Sequence, residues 1–259
     1  MAAERFNLMG SLKIRRAAAF LLAFLTTAAL TSAQTASIPK HGAAVFKFNG
    51  KDLTQFDTFL ETDGLNNDPT HVFTVEHGVM HISGTEMGYI ITKSGYKNYY
   101  LRAEFKWGEG TFGSKVGHAR DSGILYNAQG PNHVWPRSIE FQISEGVTGD
   151  FWMTNGAALT GKDGVRVTGP PGNSTKIDRF NKSPEKDVVS YRDPVNELEK
   201  PHGDWNVVEL VNRDGHLWQY VNGKLANEGT DAFPSSGKIL LESEGAEIYF
   251  RDIEIYPLK

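Results

Sequence analysis

Glu140-Phe141-Gln142-Ile143-Ser144-Glu145 alternates acidic or amide side chains with apolar ones. In a strand successive side chains point to opposite faces, so Glu140 and Gln142 share one face and Ile139, Phe141 and Ile143 take the other. Rings bracket the run: Tyr126 and Trp135 precede it, Phe151 and Trp152 follow it. Carboxylate and amide groups between flat apolar rings suit a sugar, which presents hydroxyls at its rim and C–H groups on its faces. The solvated face of an ordinary amphipathic strand carries the same pattern.

Other chemistry-bearing residues gather around this run. Glu140 leads as a catalytic or sugar-binding carboxylate. Gln142 does not titrate and is expected to orient hydroxyls. Glu145 is open between a partner acid and a loop residue. His118 and His133 flank the strand pair, each a candidate base or a solvated loop histidine. The sequence requires no cofactor. The open alternative is a divalent cation held by His118, Asp121 and Glu140, whose spacing is not that of a tight ligand set. Arg120 and Asp121 are expected either to pair with each other or to hold substrate hydroxyls. Tyr126, Trp135 and Trp152 offer stacking faces, with burial in the core as the plain alternative. Glu209 shares a strand face with Val207 and Val211, so it needs a partner, for which Arg251 is expected. Glu242, Glu244 and Arg251 read as a structural network rather than catalytic machinery.

These residues must be held by strands. Ser122–Tyr126 and Ser138–Ser144 are joined by a polar loop with Gly and Pro. Tyr99–Trp107 alternates over nine residues, with Tyr99, Leu101, Ala103, Phe105 and Trp107 on one face and Arg102, Glu104 and Lys106 on the other, a period that a helix cannot use. Phe73–Val75, His77-Gly78 and Val79–Ile82 read as a hairpin. Val45–Phe48, Gly88–Thr92, Trp205–Val211, Leu217–Val221, Lys238–Ser243 and Ile248–Tyr256 complete the set. Residues 160–204 are rich in Gly, Pro and charge and read as one long loop, either a wall over the site or a decorated surface segment. Many short strands with close turn signals predict an all-β antiparallel sandwich or jelly roll.

Residues 1–33 read as a signal peptide. Arg5, Lys13, Arg15 and Arg16 precede an apolar run from Ala17 to Leu30, and Thr31-Ser32-Ala33 offers small residues for cleavage. The run is shorter than a membrane span of about 20 residues. The expected location is secreted or periplasmic, with no span after cleavage. The 259-residue chain has no cysteine, so no disulfide framework and no lipid-bearing cysteine are available. The formal net charge of −4 becomes −7 once the leader's four basic residues and one acidic residue are removed. That charge disfavours nucleic acid or anionic lipid as a partner.

Seven motifs occur in order: Phe46-Lys47-Phe48-Asn49-Gly50-Lys51-Asp52-Leu53, Asp121-Ser122-Gly123-Ile124-Leu125-Tyr126, Trp135-Pro136-Arg137-Ser138-Ile139-Glu140-Phe141-Gln142-Ile143, Gly149-Asp150-Phe151-Trp152, Asp204-Trp205-Asn206, Val221-Asn222-Gly223 and Glu242-Ser243-Glu244-Gly245-Ala246-Glu247-Ile248-Tyr249-Phe250-Arg251. Together they resemble the bacterial 3-keto-disaccharide hydrolase family over roughly 45–258. The resemblance implies a concanavalin A-like β-sandwich (jelly roll) of two antiparallel sheets over residues 34–259, with a sugar site on the concave sheet. It also implies an oxidised disaccharide or glycoside as substrate, supplied by a sugar 3-dehydrogenase. A C3 ketone acidifies the C2 hydrogen, so a base, a donor for the C3 oxygen and an acid for the leaving group suffice.

The Glu140–Glu145 strand is also similar to the E-x-D-x-x-E strand of retaining β-glucanases, with Gln142 in place of the central Asp. That likeness implies Glu140 as nucleophile and Glu145 as acid/base, brought onto one face by a bulge between Gln142 and Glu145.

Overall fold

A computed structural model describes residues 39–259; the leader reading lies outside the described residues. In chain order the strands are β1 Phe46–Lys47, β2 Phe56–Leu60, β3 Gly64–Leu65, β4 Phe73–Glu76, β5 Val79–Ile82, β6 Gly88–Thr92, β7 Tyr96–Lys97, β8 Tyr99–Thr111, β9 Asp121–Gln129 and β10 Arg137–Ser144. They continue as β11 Phe151–Thr154, β12 Ala158–Gly161, β13 Arg166–Thr168, β14 Ser174–Ile177, β15 Asn206–Arg213, β16 His216–Val221, β17 Lys224–Phe233, β18 Ser236–Ser243 and β19 Ala246–Pro257.

Two antiparallel sheets stack as the expected jelly-roll sandwich. One runs β13-β12-β17-β16-β15-β8-β19-β5-β4, with β1 on β19. The other runs β14-β11-β10-β9-β18-β6-β2-β3, with β7 on β18. Alternation fills the space between them. Tyr99, Leu101, Ala103, Phe105 and Trp107 of β8 are buried, as are Ile139, Phe141 and Ile143 of β10. Amide side chains bridge the layers where polar backbone would be stranded. The Asn127 carbonyl accepts from Tyr99 Oη at 3.1 Å and Asn212 Nδ2 at 3.0 Å, while its own amide donates to the Pro234 carbonyl at 3.0 Å. Such pairing removes the penalty of burying polar groups.

The stretch 160–204 is not one loop. It contains β13 and β14, and its longest strand-free segment is the chain between Ile177 and Asn206. Short strands rich in Arg, Thr and Ser, without an apolar period, left no pattern to read there; their neighbours in the sheets set them. The remaining segment is fastened by buried charge: Arg179 Nη2 meets Asp193 Oδ2 at 3.0 Å, and the Ser190 N–H donates to Glu145 Oε2 at 2.7 Å. Glu209 finds a different partner from Arg251: Tyr100 Oη donates to Glu209 Oε1 at 2.5 Å, while Arg251 pairs with Glu104 at 2.8 Å.

Phe141 is fully buried between the sheets. Phe141→Ala is expected to cost about 3–5 kcal/mol, the usual result of emptying a well-packed aromatic site, as read by urea denaturation.

Candidate active site

The outer face of the β10-bearing sheet carries the chemistry in cross-strand rows. One row runs Lys176, Trp152, Glu140, Leu125, Leu240, Ile91 across β14, β11, β10, β9, β18 and β6. In the next, Gln142 faces Gly123, and Glu242 faces Tyr89, which in turn faces Phe59. The β9–β18 register carries Glu242 opposite Gly123. Ser144 and Asp121 open a third row.

Gly123 is the pivot. A Cβ there would lie 2.5 Å from Glu140 Oε1 and 2.5 Å from Glu242 Oε2. Both oxygens therefore occupy the space that any other residue's side chain would fill, and they are no farther apart than twice that distance. Both are buried, and neither has a hydrogen-bond partner among the described residues. Burial, reinforced by the Glu244, Asp121 and Asp150 carboxylates, holds Glu140 well above the ordinary carboxyl range. Burial and then Glu140 do the same to Glu242. Glu244 is pushed up to about 8, by burial and then by Asp121. Two close carboxyls that cannot both ionise readily form a pair able to hold one proton between them.

Beside the pair, Asp121 is bonded through both of its oxygens. Lys115 Nζ lies 2.5 Å from Asp121 Oδ2, and Gln142 Nε2 donates to Asp121 Oδ1 at 2.6 Å. Asp121 thus pairs with Lys115 rather than with Arg120. A cleft of about 170 Å³ opens beside Asp121, lined by Lys115, Asp121, Gln142, Trp152 and Asp187 among others; Glu140 and Glu242 do not line it. Trp152 faces it with a buried indole N–H that has no acceptor among the described residues, a donor waiting for a hydroxyl. Larger cavities of about 300 Å³ beside Phe180 and about 460 Å³ beside Trp205 are each lined by a single carboxylate, Glu197 and Glu76.

Several sequence candidates are placed elsewhere. Tyr126 is fully buried between the sheets, where its hydroxyl accepts from Gln219 Nε2 at 3.3 Å, away from the face that carries Glu140. Its position on β9 alternates with Leu125 and points inward. Arg120 is buried against Glu145, with Nη1 2.8 Å from Oε1, and its other bonds go to Ser190 and to the Glu109 carbonyl. Glu145 also accepts from the Arg120 and Ser190 backbone N–H groups. No bulge separates Gln142 from Glu145; the irregularity lies between Arg137 and Ile139. A carboxylate so committed is no partner acid, which removes the basis for a Glu140/Glu145 retaining pair.

His118 is at the exposed rim, 2.9 Å from Asp187 Oδ2. His133 lies in the β9–β10 loop against Asn155 Nδ2 at 3.1 Å. Among the described residues no three His, Asp or Glu side chains come together as a metal-holding group, so His118, Asp121 and Glu140 do not form the expected cation set. Trp135 packs over Tyr89, ring centres 6.4 Å apart, at the apolar end of the face. Glu242 and Glu244, read as structural, instead join Glu140. The available signal was Glu242 near the end of β18, with Glu244 just past it, opposite a strand that places glycine at 123.

The family model of the 3-keto-alpha-glucoside-1,2-lyase-like domain matches residues 44–256. The chain belongs to this family. It is accordingly a carbohydrate-active protein. The fold is shared with a candidate glycosyl hydrolase from Parabacteroides distasonis ATCC 8503, at 22% identity and TM-score 0.51, covering 82% of this chain and 92% of that one. An endo-acting O-glycanase of the human gut microbiota, from work on mucin breakdown, aligns at 12% identity and TM-score 0.54, covering 84% of this chain and 100% of that one. A LamA variant from Z. galactanivorans, bound to laminaritriose and laminaritetraose, aligns at 11% identity and TM-score 0.50 with the same coverage. No curated protein matches the chain.

Two outcomes test this geometry. Glu242 binds its proton more tightly folded than unfolded, so the folded state loses stability as pH rises from the ordinary carboxyl value of 4.5 through the raised one. Glu242→Gln is therefore expected to be more stable than the parent at pH 8 and to converge with it near pH 4, as measured by urea unfolding. Gly123→Ala is expected to cost about 1–3 kcal/mol through overpacking and to abolish turnover while circular dichroism retains the sheet signal.

Proposed function

We propose that this protein cleaves 3-keto-glycosides at the C1–O bond by elimination, using Glu140 and Glu242 as its proton-transfer pair. The observation that carries the reading is the pair of buried, unpartnered carboxyls over Gly123 in a member of the 3-keto-alpha-glucoside-1,2-lyase-like family. One carboxylate removes the C2 proton, and the C–H electrons pass toward the C3 oxygen as an enolate. Collapse of the enolate forms the C1–C2 double bond and expels the glycosidic oxygen, which takes a proton from the protonated partner. Water then adds to the unsaturated sugar where hydrolysis is the net result.

Raised carboxyl pKa values serve both roles. A base whose conjugate acid titrates near the working pH, and an acid still protonated there, each transfer protons efficiently. Gln142 and Lys115 supply donors for the C3 oxygen, and Trp152 supplies a ring and an N–H to the sugar. The substrate is an oxidised disaccharide or glycoside, which places a sugar 3-dehydrogenase upstream. With the leader read as a signal peptide, the reaction takes place outside the cytoplasm.

Turnover of 3-keto-trehalose, trehalose and a β-glucan in heavy water tests this. Cleavage of the keto sugar alone is expected, with the C2 hydrogen lost from the unsaturated product or replaced by deuterium once water has added, and at least about a 100-fold loss for Glu140→Gln. Cleavage of the unoxidised glucan would overturn the elimination reading. Loss of turnover with a chelator would add a cation to the site.

A further inference from the structure

We infer that Glu199 is a positioning residue: its neutral carboxyl group holds the Ser144–Asp150 turn that walls the cleft, and its ionisation weakens substrate binding. The substrate rests on the elimination reading; the latch itself does not.

Glu199 lies where the strand-free segment returns to the sheets, and its neighbours are pinned. Asn222 Nδ2 donates to the Leu198 carbonyl at 2.8 Å, and the Lys200 N–H donates to Asn206 Oδ1 at 2.7 Å. The Glu199 side chain is buried. Its Oε2 accepts from Trp107 Nε1 of β8 at 3.0 Å, and its Oε1 meets the Thr148 hydroxyl in the turn between β10 and β11. Ser144, Glu145, Val147 and Asp150, at the ends and within that turn, line the cleft. One carboxyl group therefore ties the strand-free segment to a strand of the opposite sheet and to the wall of the site.

The hydrogens around Thr148 set the charge of Glu199. Thr148 Oγ1 accepts from the Ser144 N–H at 3.0 Å and lies 3.0 Å from the Ser144 carbonyl oxygen. With Glu199 Oε1 added, two oxygens stand within reach of a hydroxyl that has one hydrogen. The Ser144 carbonyl has none to offer, so every contact is met only when Glu199 supplies a hydrogen of its own. A neutral acid completes the cluster, and a carboxylate leaves two oxygens facing each other.

The charges nearby favour the same state. Arg192 donates to the Glu199 and Lys200 backbone carbonyls, Lys200 Nζ to the Trp205 carbonyl, and Arg120 is held by Glu145. Glu197 and Glu145 are the charged groups that act on the carboxyl, and both are acidic. Burial pushes Glu199 up to about 8, and these two carboxylates add to the rise. A group raised in the folded state stabilises the fold at low pH, and that contribution is lost as pH climbs from 4.5 through about 8. Above that range the ionised group is a buried charge without a cation, relieved by letting water into the turn.

Glu199→Gln copies the neutral acid, its amide N–H turned to Thr148 and its carbonyl to the Trp107 N–H. Backbone hydrogen exchange, corrected for the intrinsic effect of pH, reads the turn without any substrate. Between pH 7 and pH 9, protection of residues 144–150 and 186–204 is expected to fall at least about fivefold in the wild type and to hold in Glu199→Gln. Over the same range the KM for 3-keto-trehalose is expected to rise roughly tenfold in the wild type, as the competent fraction shrinks, and less than about twofold in the variant. Titration of Glu140, Glu242 and Glu244 is common to both proteins, so the difference between them reports Glu199. The exchange result without turnover of any keto sugar would leave this inference standing and sink the elimination reading. Coincident exchange profiles would overturn it, as would coincident KM profiles in proteins that cleave the keto sugar. A Glu199→Gln chain that fails to fold would overturn it too, because the amide reproduces each contact of the neutral acid.

Discussion

Two carboxyl groups meet over a residue that has no side chain, and each leaves a buried oxygen without a partner among the described residues. Much of the outer face of that sheet is arranged to sustain that contact. Burial removes the water that would otherwise favour ionisation, Glu244 and Asp121 add like charge, and Lys115 offsets it only in part. The sandwich beneath supplies the free energy that such an arrangement consumes. Phe141 and Ile143, on the reverse side of the strand that carries Glu140 and Gln142, are fully buried against the second sheet. A site that opposes folding is held in place by the strand whose other face drives it.

The division of labour among the remaining charges follows from this. Glu145 and Arg120 are neutralised by each other and fasten the chain between Ile177 and Asn206, whose Glu185, Lys186 and Asp187 line the polar end of the cleft. Arg179 and Asp193 brace that segment internally. Paired charges therefore build the wall, and the unpartnered carboxyl oxygens lie over Gly123. Removing one member of a buried pair would strand the other, so these walls tolerate substitution poorly.

The fold was legible wherever alternation was clean. Tyr99–Trp107, Ser138–Ser144 and the hairpin at 73–82 all lie within strands of the structure. Lys224–Phe233 carried no such pattern, with Asn, Gly and Asp among its residues, and is a strand because β16 and β12 flank it. Glu140, Gln142 and Trp152 were legible for the site because one short stretch carries them. Glu242 was not, because its partner lies about a hundred residues earlier in the chain, and only the β9–β18 pairing brings the two together. A separation of 25 residues hid the roles of Arg120 and Glu145, whose ion pair joins the chain before β9 to the chain after β10. Tyr126 was misplaced because an aromatic ring near a polar strand is equally compatible with either face of its own strand.

The orphaned oxygens over Gly123 also make the folded molecule a reservoir of protons. A chain that folds near neutrality draws protons from the solvent, because the Glu140–Glu242 pair resists full ionisation. Any ligand that offers either oxygen a hydrogen-bond donor shifts the balance back toward ionisation. Binding of such a ligand is thus coupled to proton release, and its affinity rises with pH for reasons unrelated to the ligand's own charge.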